Sequence, residues 1–268
     1  MASQAHFFAF DTETTGINPE ESQILSIAMV LLDVELNVLS TKEIHAFPDD
    51  DAVISPEAVK VNGYTKELWD EKGAVSQKQM FGLVQAFLKN HWRLKPIAHN
   101  LPFDAGFLQA LFKKHARPAR DKSYSDLFSY FGLDTLGIAV FTDLVLYNHC
   151  RSSYKLTSLS DHYRITHAEA HTSLSDVLAM VDVLRAMREN LRTKAGIGAF
   201  ARTMPDHHFL LCTDKEAPEW TFTGGKYSGA KAHEIAKVDL KYIRYVLTFP
   251  ELSNNQREYL TSLCQIPA

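Results

Sequence analysis

The sequence predicts an α/β protein, with a mixed five-stranded sheet flanked by helices and a small α+β module after it. Three observations lead there. Apolar runs of strand length come first and amphipathic helical patterns intersperse later, the order expected of a mixed sheet covered on both faces. At 268 residues and 46% hydrophobic, the chain can bury one large core and a small one. After about Thr193 the periodicity lapses and resumes only in short segments.

Phe7–Phe10, Ile24–Val34 and Val38–Phe47 read as three consecutive strands, the last two joined by a turn around Glu35-Leu36-Asn37. Gln77–Trp92 is an amphipathic helix, Pro96–His99 a short strand, and Phe103–His115 a helix with Phe103, Phe107, Leu108, Leu111 and Phe112 at helical spacing. Phe141–Tyr147 reads as the fifth strand, and Lys155–Tyr163 and Ser173–Leu191 as helices. Residues 194–213 form a connector, and 214–268 a module with a strand and glycine turn over Trp220–Gly229. Helical patterns follow there at Lys231–Ala236, Leu240–Leu247 and Asn255–Leu263. No internal repeat interrupts this layout.

The chemistry is concentrated in a few carboxylates. Asp11 and Glu13 stand two residues apart at the end of the first apolar strand, so both point to one side. Their mutual repulsion and burial call for something positive between them, and hard oxygen ligands suit magnesium or manganese. Thr14-Thr15-Gly16 gives a tight exit from the strand and brings backbone close to a bound group. Asp104 lies in the first turn of a helix, and Asp176 lies within the helix that follows His171 and its polar lead-in. Asp49-Asp50-Asp51 is most simply a loop and is assigned no metal.

Taken in order, Asp11-x-Glu13-Thr14-Thr15-Gly16, then His99-Asn100-x-x-Phe103-Asp104-x-x-Phe107-Leu108, then His171-x4-Asp176 resembles the three motifs of the DEDDh (DnaQ-like) exonucleases. That group includes proofreading epsilon subunits, ribonuclease T, exonuclease X and oligoribonuclease-like enzymes. The resemblance spans roughly residues 5–193. It implies a ribonuclease H-like fold and metal-dependent release of nucleoside monophosphates from a 3′ end. Ser55–Gly63 is similar to the family's segment near the terminal nucleotide, with Asn62 where the family often carries histidine. Thr142-Asp143-Leu144 is similar to the strand before the last motif, and Leu156–Ser160 to the helix after it. The tail is similar to the C-terminal module of exonuclease X-like proteins, through Gly225-Lys226-Tyr227-Ser228-Gly229 and Tyr242-Ile243-Arg244-Tyr245.

The expected mechanism uses two divalent ions, Mg2+ or Mn2+. Asp11 bridges both, Glu13 and Asp176 hold the ion on the side of the attacking water, and Asp104 holds the ion beside the leaving 3′ oxygen. His171, with a side chain that titrates near working pH, is the general base. Four carboxylates without ligand histidines or thiolates disfavour zinc. Substrate contacts are expected from Thr14, Thr15, Gly16, Asn62 and Asn100, and from Phe103 and Phe107 against the terminal bases. Lys113 and Lys114 are candidates to guide phosphates. In the tail, Lys226, Tyr227 and Lys231 are the contacts if the module is a nucleic-acid platform; a packing appendage is the alternative.

Net charge is −4, yet it is unevenly spread: acids dominate from Met1 to Val75 and bases between Lys89 and Lys122. A modest basic patch suits an enzyme that holds a few nucleotides at a strand end. Three scattered cysteines fit reduced thiols in a cytoplasmic protein. No apolar run has the length of a membrane span, and the N-terminus lacks the plan of a signal peptide. The leading expectation is a 3′→5′ exonuclease on single-stranded or frayed DNA. An exoribonuclease or short-oligonucleotide hydrolase stays open, because discrimination of the 2′-OH resides in pocket shape. A non-cleaving binding protein on the same fold is disfavoured by the intact ligand set. A polymerase, or another replication or repair protein, is an open partner.

Overall fold

The computed structural model describes residues 4–129, 132–166, 173–194, 210–212, 220–222, 227, 230–247 and 254–265. The chain divides into two compact units, Met1–Phe141 with Arg151–Arg185, and Thr142–Cys150 with Ala186–Ala268.

The first unit is built on the strands β1 (Phe7–Thr14), β2 (Ile24–Leu32), β3 (Val38–His45), β4 (Lys95–Ala98) and β5 (Leu133–Asp134). They form one sheet in the order β3-β2-β1-β4-β5. β1–β2 and β2–β3 are antiparallel, whereas β1–β4 and β4–β5 are parallel. The predicted mixed sheet of five strands is therefore present. β2 is buried along all nine residues, which is why it reads as a continuous apolar run and does not alternate.

Between β3 and β4 lie α1 (Pro56–Asn62), α2 (Lys66–Glu71) and α3 (Gln77–Leu88). Ser55, Thr65 and Ser76 cap them with side-chain oxygens that accept from the first-turn amides, and Ser76 completes a capping box with Gln79. Trp69 of α2 donates its indole N–H to the Leu25 carbonyl at 2.8 Å, and Gln77 donates to the carbonyls of Ile24 and Phe47. After β4 come α4 (Leu101–His115), α5 (Tyr124–Leu127), β5, α6 (Thr135–Tyr147), α7 (Leu156–Tyr163) and α8 (Ser173–Lys194). Phe8 and Phe10 point to the face covered by α3 and α4, where they join Met80, Phe81, Val84, Phe107, Leu108 and Phe112 in one core.

One predicted strand is corrected. Phe141–Tyr147 is the second half of the helix α6, and the fifth strand is the two-residue β5 upstream. Composition misleads here, because the apolar, β-branched run looks strand-like. Burial shows the helical period: Ile138, Ala139, Thr142 and Asp143 are buried, while Leu144, Val145 and Tyr147 are exposed. Two residues of β5 are too few to leave a period of their own. The short helices α1 and α2 and the strand Leu210–Cys212 also lie where no element is predicted.

The second unit carries β6 (Leu210–Cys212) paired antiparallel with β7 (Trp220–Phe222), and α9 (Ala232–Val238), α10 (Leu240–Val246) and α11 (Asn254–Leu263). Trp220, Phe222, Ile235, Tyr242, Ile243, Val246, Leu260 and Leu263 form its own core. Among the described residues no helix is long and apolar enough to cross a membrane.

Gly132, which leads into β5, has no room for a side chain. A Cβ there would stand 2.6 Å from the Pro96 carbonyl oxygen and 2.4 Å from Leu101 Cδ2. Backbone cannot yield as a side-chain tip can, so Gly132→Ala should destabilise the protein by about 1–3 kcal/mol. A lowered urea midpoint with unchanged slope is the expected result, and an unchanged midpoint contradicts it.

Candidate active site

The site forms where β1 outruns its parallel neighbour. β4 pairs with β1 only through Phe7–Ala9, and the chain then leaves the sheet after Ala98. Asn100 makes the turn in a left-handed conformation (φ 73°), which asparagine tolerates better than most residues. Its backbone N–H donates to Asp134 Oδ1 at 2.9 Å, and the same oxygen accepts from Leu101 at 3.4 Å and Leu136 at 3.1 Å. Asp134, at the end of β5, thus holds the start of α4 against the end of the sheet.

That placement brings Asp104 to the open edge of β1. Asp104 Oδ1 accepts from the Thr12 backbone N–H at 2.9 Å and from the Thr12 hydroxyl at 2.7 Å. Thr12 shares the α4 face with Phe8 and Phe10, so Asp11 and Glu13 project to the opposite face. Glu13 pairs across the ladder with Ser26, and residues directly opposite point the same way. Ser26 Oγ lies 3.1 Å from Ser173 Oγ, which sets the first residue of α8 on that face and Asp176 in its first turn. The ladder register shifts between Glu13 and Thr14, a bulge at the point where the acids are aimed.

Electrostatics show the four acids acting on one another. Asp11 is held well above the usual carboxylate range, first by desolvation and then by the negative charges of Asp104, Glu13 and Asp176. Asp104 is pushed up to about 7, mainly by burial and further by Glu13; the Thr12 hydrogen bonds oppose the shift without cancelling it. Among the described residues, the charges that shift Asp11 are those of Asp104, Glu13 and Asp176, all negative. Among the described residues, no three histidine, cysteine or acidic side chains are drawn in around a common point at ligating distance.

The strand exit is fixed from within. Thr14 Oγ1 donates to the Gly16 carbonyl at 2.6 Å, and Thr15 Oγ1 accepts from the Gln23 N–H at 3.0 Å. At Gly16 a Cβ would stand 2.6 Å from Ser22 Oγ, so a side chain there requires the serine hydroxyl to turn away. Asn62, at the end of α1, donates its amide to the Thr14 carbonyl at 3.0 Å, which ties α1 to the end of β1. Phe103 is partly exposed at the start of α4, one turn from Phe107, with ring centroids 5.0 Å apart.

Several sequence-based contacts change place. Phe107 is 1% exposed and belongs to the core, so its ring cannot reach a base. Lys113 and Lys114 sit in the last turn of α4, away from Asp104 in the first turn, and Lys114 pairs with Asp49 at 2.7 Å. Arg117 is bound by Asp121, and Lys122 donates to the carbonyls of Lys89 and His91. Tyr227 donates its hydroxyl to Asp239 at 2.8 Å and stands edge-on to Tyr242, inside the module. Lys231 is the residue before α9. His171 and Lys226 lie outside the described residues.

Sequence reading missed the supports. Thr12 positions Asp104, Asp134 positions α4, and His99 ties β4 to the segment before α7. The His99 ring stands 2.9 Å from Thr135 Oγ1 through Nδ1 and 2.8 Å from the Tyr154 carbonyl through Nε2. A carbonyl only accepts, so Nε2 carries the proton, and burial lowers the ring's basicity. His99 is therefore a structural bridge held through both ring nitrogens. The signal available was Asp134-Thr135 itself, a polar pair set between apolar residues.

A family model described as exonuclease, of the ribonuclease T type, matches residues 8–184. The DNA polymerase III subunit epsilon of Treponema pallidum (strain Nichols) is 26% identical over 181 residues, covering 68% of this chain and 75% of that protein. Ribonuclease T of Actinobacillus pleuropneumoniae (serotype 5b, strain L20) is 26% identical over 196 residues, covering 69% of this chain and 84% of that protein. Exonuclease I of Methylocaldum szegediense superposes with a TM-score of 0.60 at 19% identity, over 74% of this chain and 43% of that one. E. coli exonuclease I in complex with an oligonucleotide gives 0.57 at 20% identity, over 72% and 42%. This chain thus spans less than half the length of those exonuclease I chains, and the likeness to them is one of fold. With the family match running from β1 through the first turns of α8, the chain belongs to the ribonuclease T-type exonucleases, the DnaQ-like DEDDh family of 3′→5′ exonucleases.

Proposed function

We propose that this chain removes nucleoside monophosphates from the 3′ ends of single-stranded or frayed DNA, with Asp11, Glu13, Asp104 and Asp176 holding two Mg2+ or Mn2+ ions. The observation that carries this reading is the crowding at the end of β1, where Asp11 is raised by burial and by three carboxylates. Such a donor set fits a hard divalent cation: it is all oxygen, and its like charges crowd Asp11. Dependence on metal is normal in this family. Bound there, the ions would neutralise charge on the phosphorus and on the leaving oxygen. Asp11 is the ligand shared between the ions, with Glu13 and Asp176 on the side of the attacking water and Asp104 on the side of the leaving 3′ oxygen.

The remaining work falls to the chain's own groups. His171 takes a proton from the attacking water as the bond from phosphorus to the 3′ oxygen breaks. Thr12 fixes the Asp104 carboxylate. The backbone of Thr14-Thr15-Gly16, together with Asn62, Asn100 and Phe103, borders the terminal nucleotide. Residues 1–193 act as the catalytic domain, 194–213 as a connector and 214–268 as a separate module.

The choice of DNA is supported by the exonuclease I structures that hold an oligonucleotide or single-stranded DNA. RNA is the second reading, favoured by the ribonuclease T relatives. A polymerase or other replication protein as partner is supported by the epsilon relative and by an exonuclease I structure with an SSB C-terminal peptide. The proposed location is the cytoplasm.

The raised carboxylates give a pH dependence of fixed sign. Asp104 titrates at about 7 in the folded protein against an ordinary value of 3.8. Between those values the folded state keeps a proton that the unfolded chain has lost. Stability of the metal-free protein should therefore fall as pH rises from about 4 to about 7. Magnesium should restore it above pH 7, and Asp104→Asn should flatten both effects. Melting temperatures at pH 5 and 8, with magnesium or EDTA, test this; a metal-free protein that gains stability across the window contradicts it.

Activity is read on end-labelled single-stranded DNA, duplex DNA and RNA. Cleavage should vanish in EDTA and return with magnesium or manganese, and Asp11→Ala should be the most damaging single change. His171→Ala should slow turnover by ~10²–10⁴-fold with metal and substrate binding retained. A terminal 3′-phosphate should block, whereas a 5′ block should not. Full turnover in excess chelator would sink the metal reading, and circular strands cut as fast as linear ones would show an endonuclease.

A further inference from the structure

The second unit offers a surface the catalytic site does not use. α10 buries Tyr242, Ile243 and Val246 and exposes Lys241, Arg244 and Tyr245. Positions i, i+3 and i+4 share one helical face, so the two cations and the aromatic ring stand together. Tyr245 is 52% exposed. The last turn of the preceding helix α9 exposes Lys237 and Val238, the latter at 75%.

Acid is absent from α10, although acidic and basic residues balance over residues 214–268. Asp239, at the junction of the two helices, is turned to internal duty: it accepts from the Tyr242 N–H at 3.1 Å and from the Tyr227 hydroxyl at 2.8 Å. Glu234, the exposed acid of α9, stands i, i+3 to Lys237 and i, i+4 to Val238 on one face of α9, so the face without an acid is that of α10 alone.

We infer that the α10 face formed by Lys241, Arg244 and Tyr245 binds single-stranded nucleic acid. Lysine and arginine meet phosphates, and an exposed aromatic ring stacks a base without regard to sequence. Charge complementarity decides the occupant, since this face is cationic and carries one ring at stacking exposure. It moves the contact away from Tyr227, whose bond to Asp239 instead braces α10. The inference rests on the reading of the chain as a nuclease of single strands.

The test uses the full chain. Binding of a labelled 30-nucleotide single strand is followed by fluorescence anisotropy in EDTA over a range of salt, and dinucleotide hydrolysis is followed separately in magnesium. Tyr245→Ala should weaken long-strand binding by ~5–100-fold, and Tyr245→Phe should retain it. Lys241→Gln with Arg244→Gln should lower affinity and flatten the log–log salt slope by about 1–1.5, whereas Lys241→Arg with Arg244→Lys should not. Dinucleotide hydrolysis should stay at the wild-type rate in all of them. Unchanged long-strand affinity and slope in the Tyr245→Ala and double Gln variants overturns the inference. So does a loss of binding to polyglutamate without a loss for DNA, which would assign the face to an acidic protein. Wild-type protein that cuts no nucleic acid in magnesium removes the nuclease reading, and the anisotropy alone then decides whether this face binds strands.

Discussion

The pair of hydrogen bonds from Thr12 to Asp104 is the contact on which the site depends. It exists because β4 stops at Ala98 while β1 runs on to Thr14, which leaves an N–H on β1 without a strand to receive it. A buried amide left open costs about 1–3 kcal/mol, so an acceptor there is strongly selected by the fold itself. Asp104 supplies it, and in doing so a helix on one face of the sheet places its acid beside acids that project to the other face. Asp134 and the left-handed turn at Asn100 aim the helix; Ser26 and Ser173 aim the second one.

This arrangement works against stability. Burial and like charges raise both Asp11 and Asp104, and Asp104, pushed up to about 7, is on the edge of carrying a proton at neutral pH in the metal-free protein. A surface ion pair such as Lys114–Asp49 contributes too little to offset that. The offset comes from packing: Phe8, Phe10, Phe107 and Phe112 in one continuous core, and a β2 strand buried along its whole length. The same burial that strains the carboxylates also keeps the dielectric low, so a cation bound among them would interact strongly.

Sequence made the carboxylates legible because their spacing is tied to secondary structure. Asp11 and Glu13 two apart on a strand, and Asp104 at the start of an amphipathic helix, carry geometry in their positions. What stayed hidden depends on tertiary context. Phe103 and Phe107 share one helical spacing, yet only packing decides that Phe107 turns into the core. β5 spans two residues and cannot display a period, so the apolar run of α6 reads as the last strand in the sequence. Lys114, Arg117 and Lys122 form a basic run in sequence, but each is engaged by its own fold. A count of charges cannot see that.

The module shows the same distinction from the other side. Its residues are balanced in charge overall, and the glycine-flanked Tyr227 looks like the exposed contact. Folding inverts that impression, because Asp239 both caps α10 and accepts the Tyr227 hydroxyl. Once Asp239 is turned to that use, the cations of α10 are left without an acid on their own helix, next to a ring at half exposure. A neutral sequence thereby acquires a basic, aromatic face through the internal use of one carboxylate. In the catalytic unit it is the acids that folding gathers, and in the module it is the bases. The proposed function uses both, acids to hold cations at the reacting phosphate and bases to hold other phosphates of the strand.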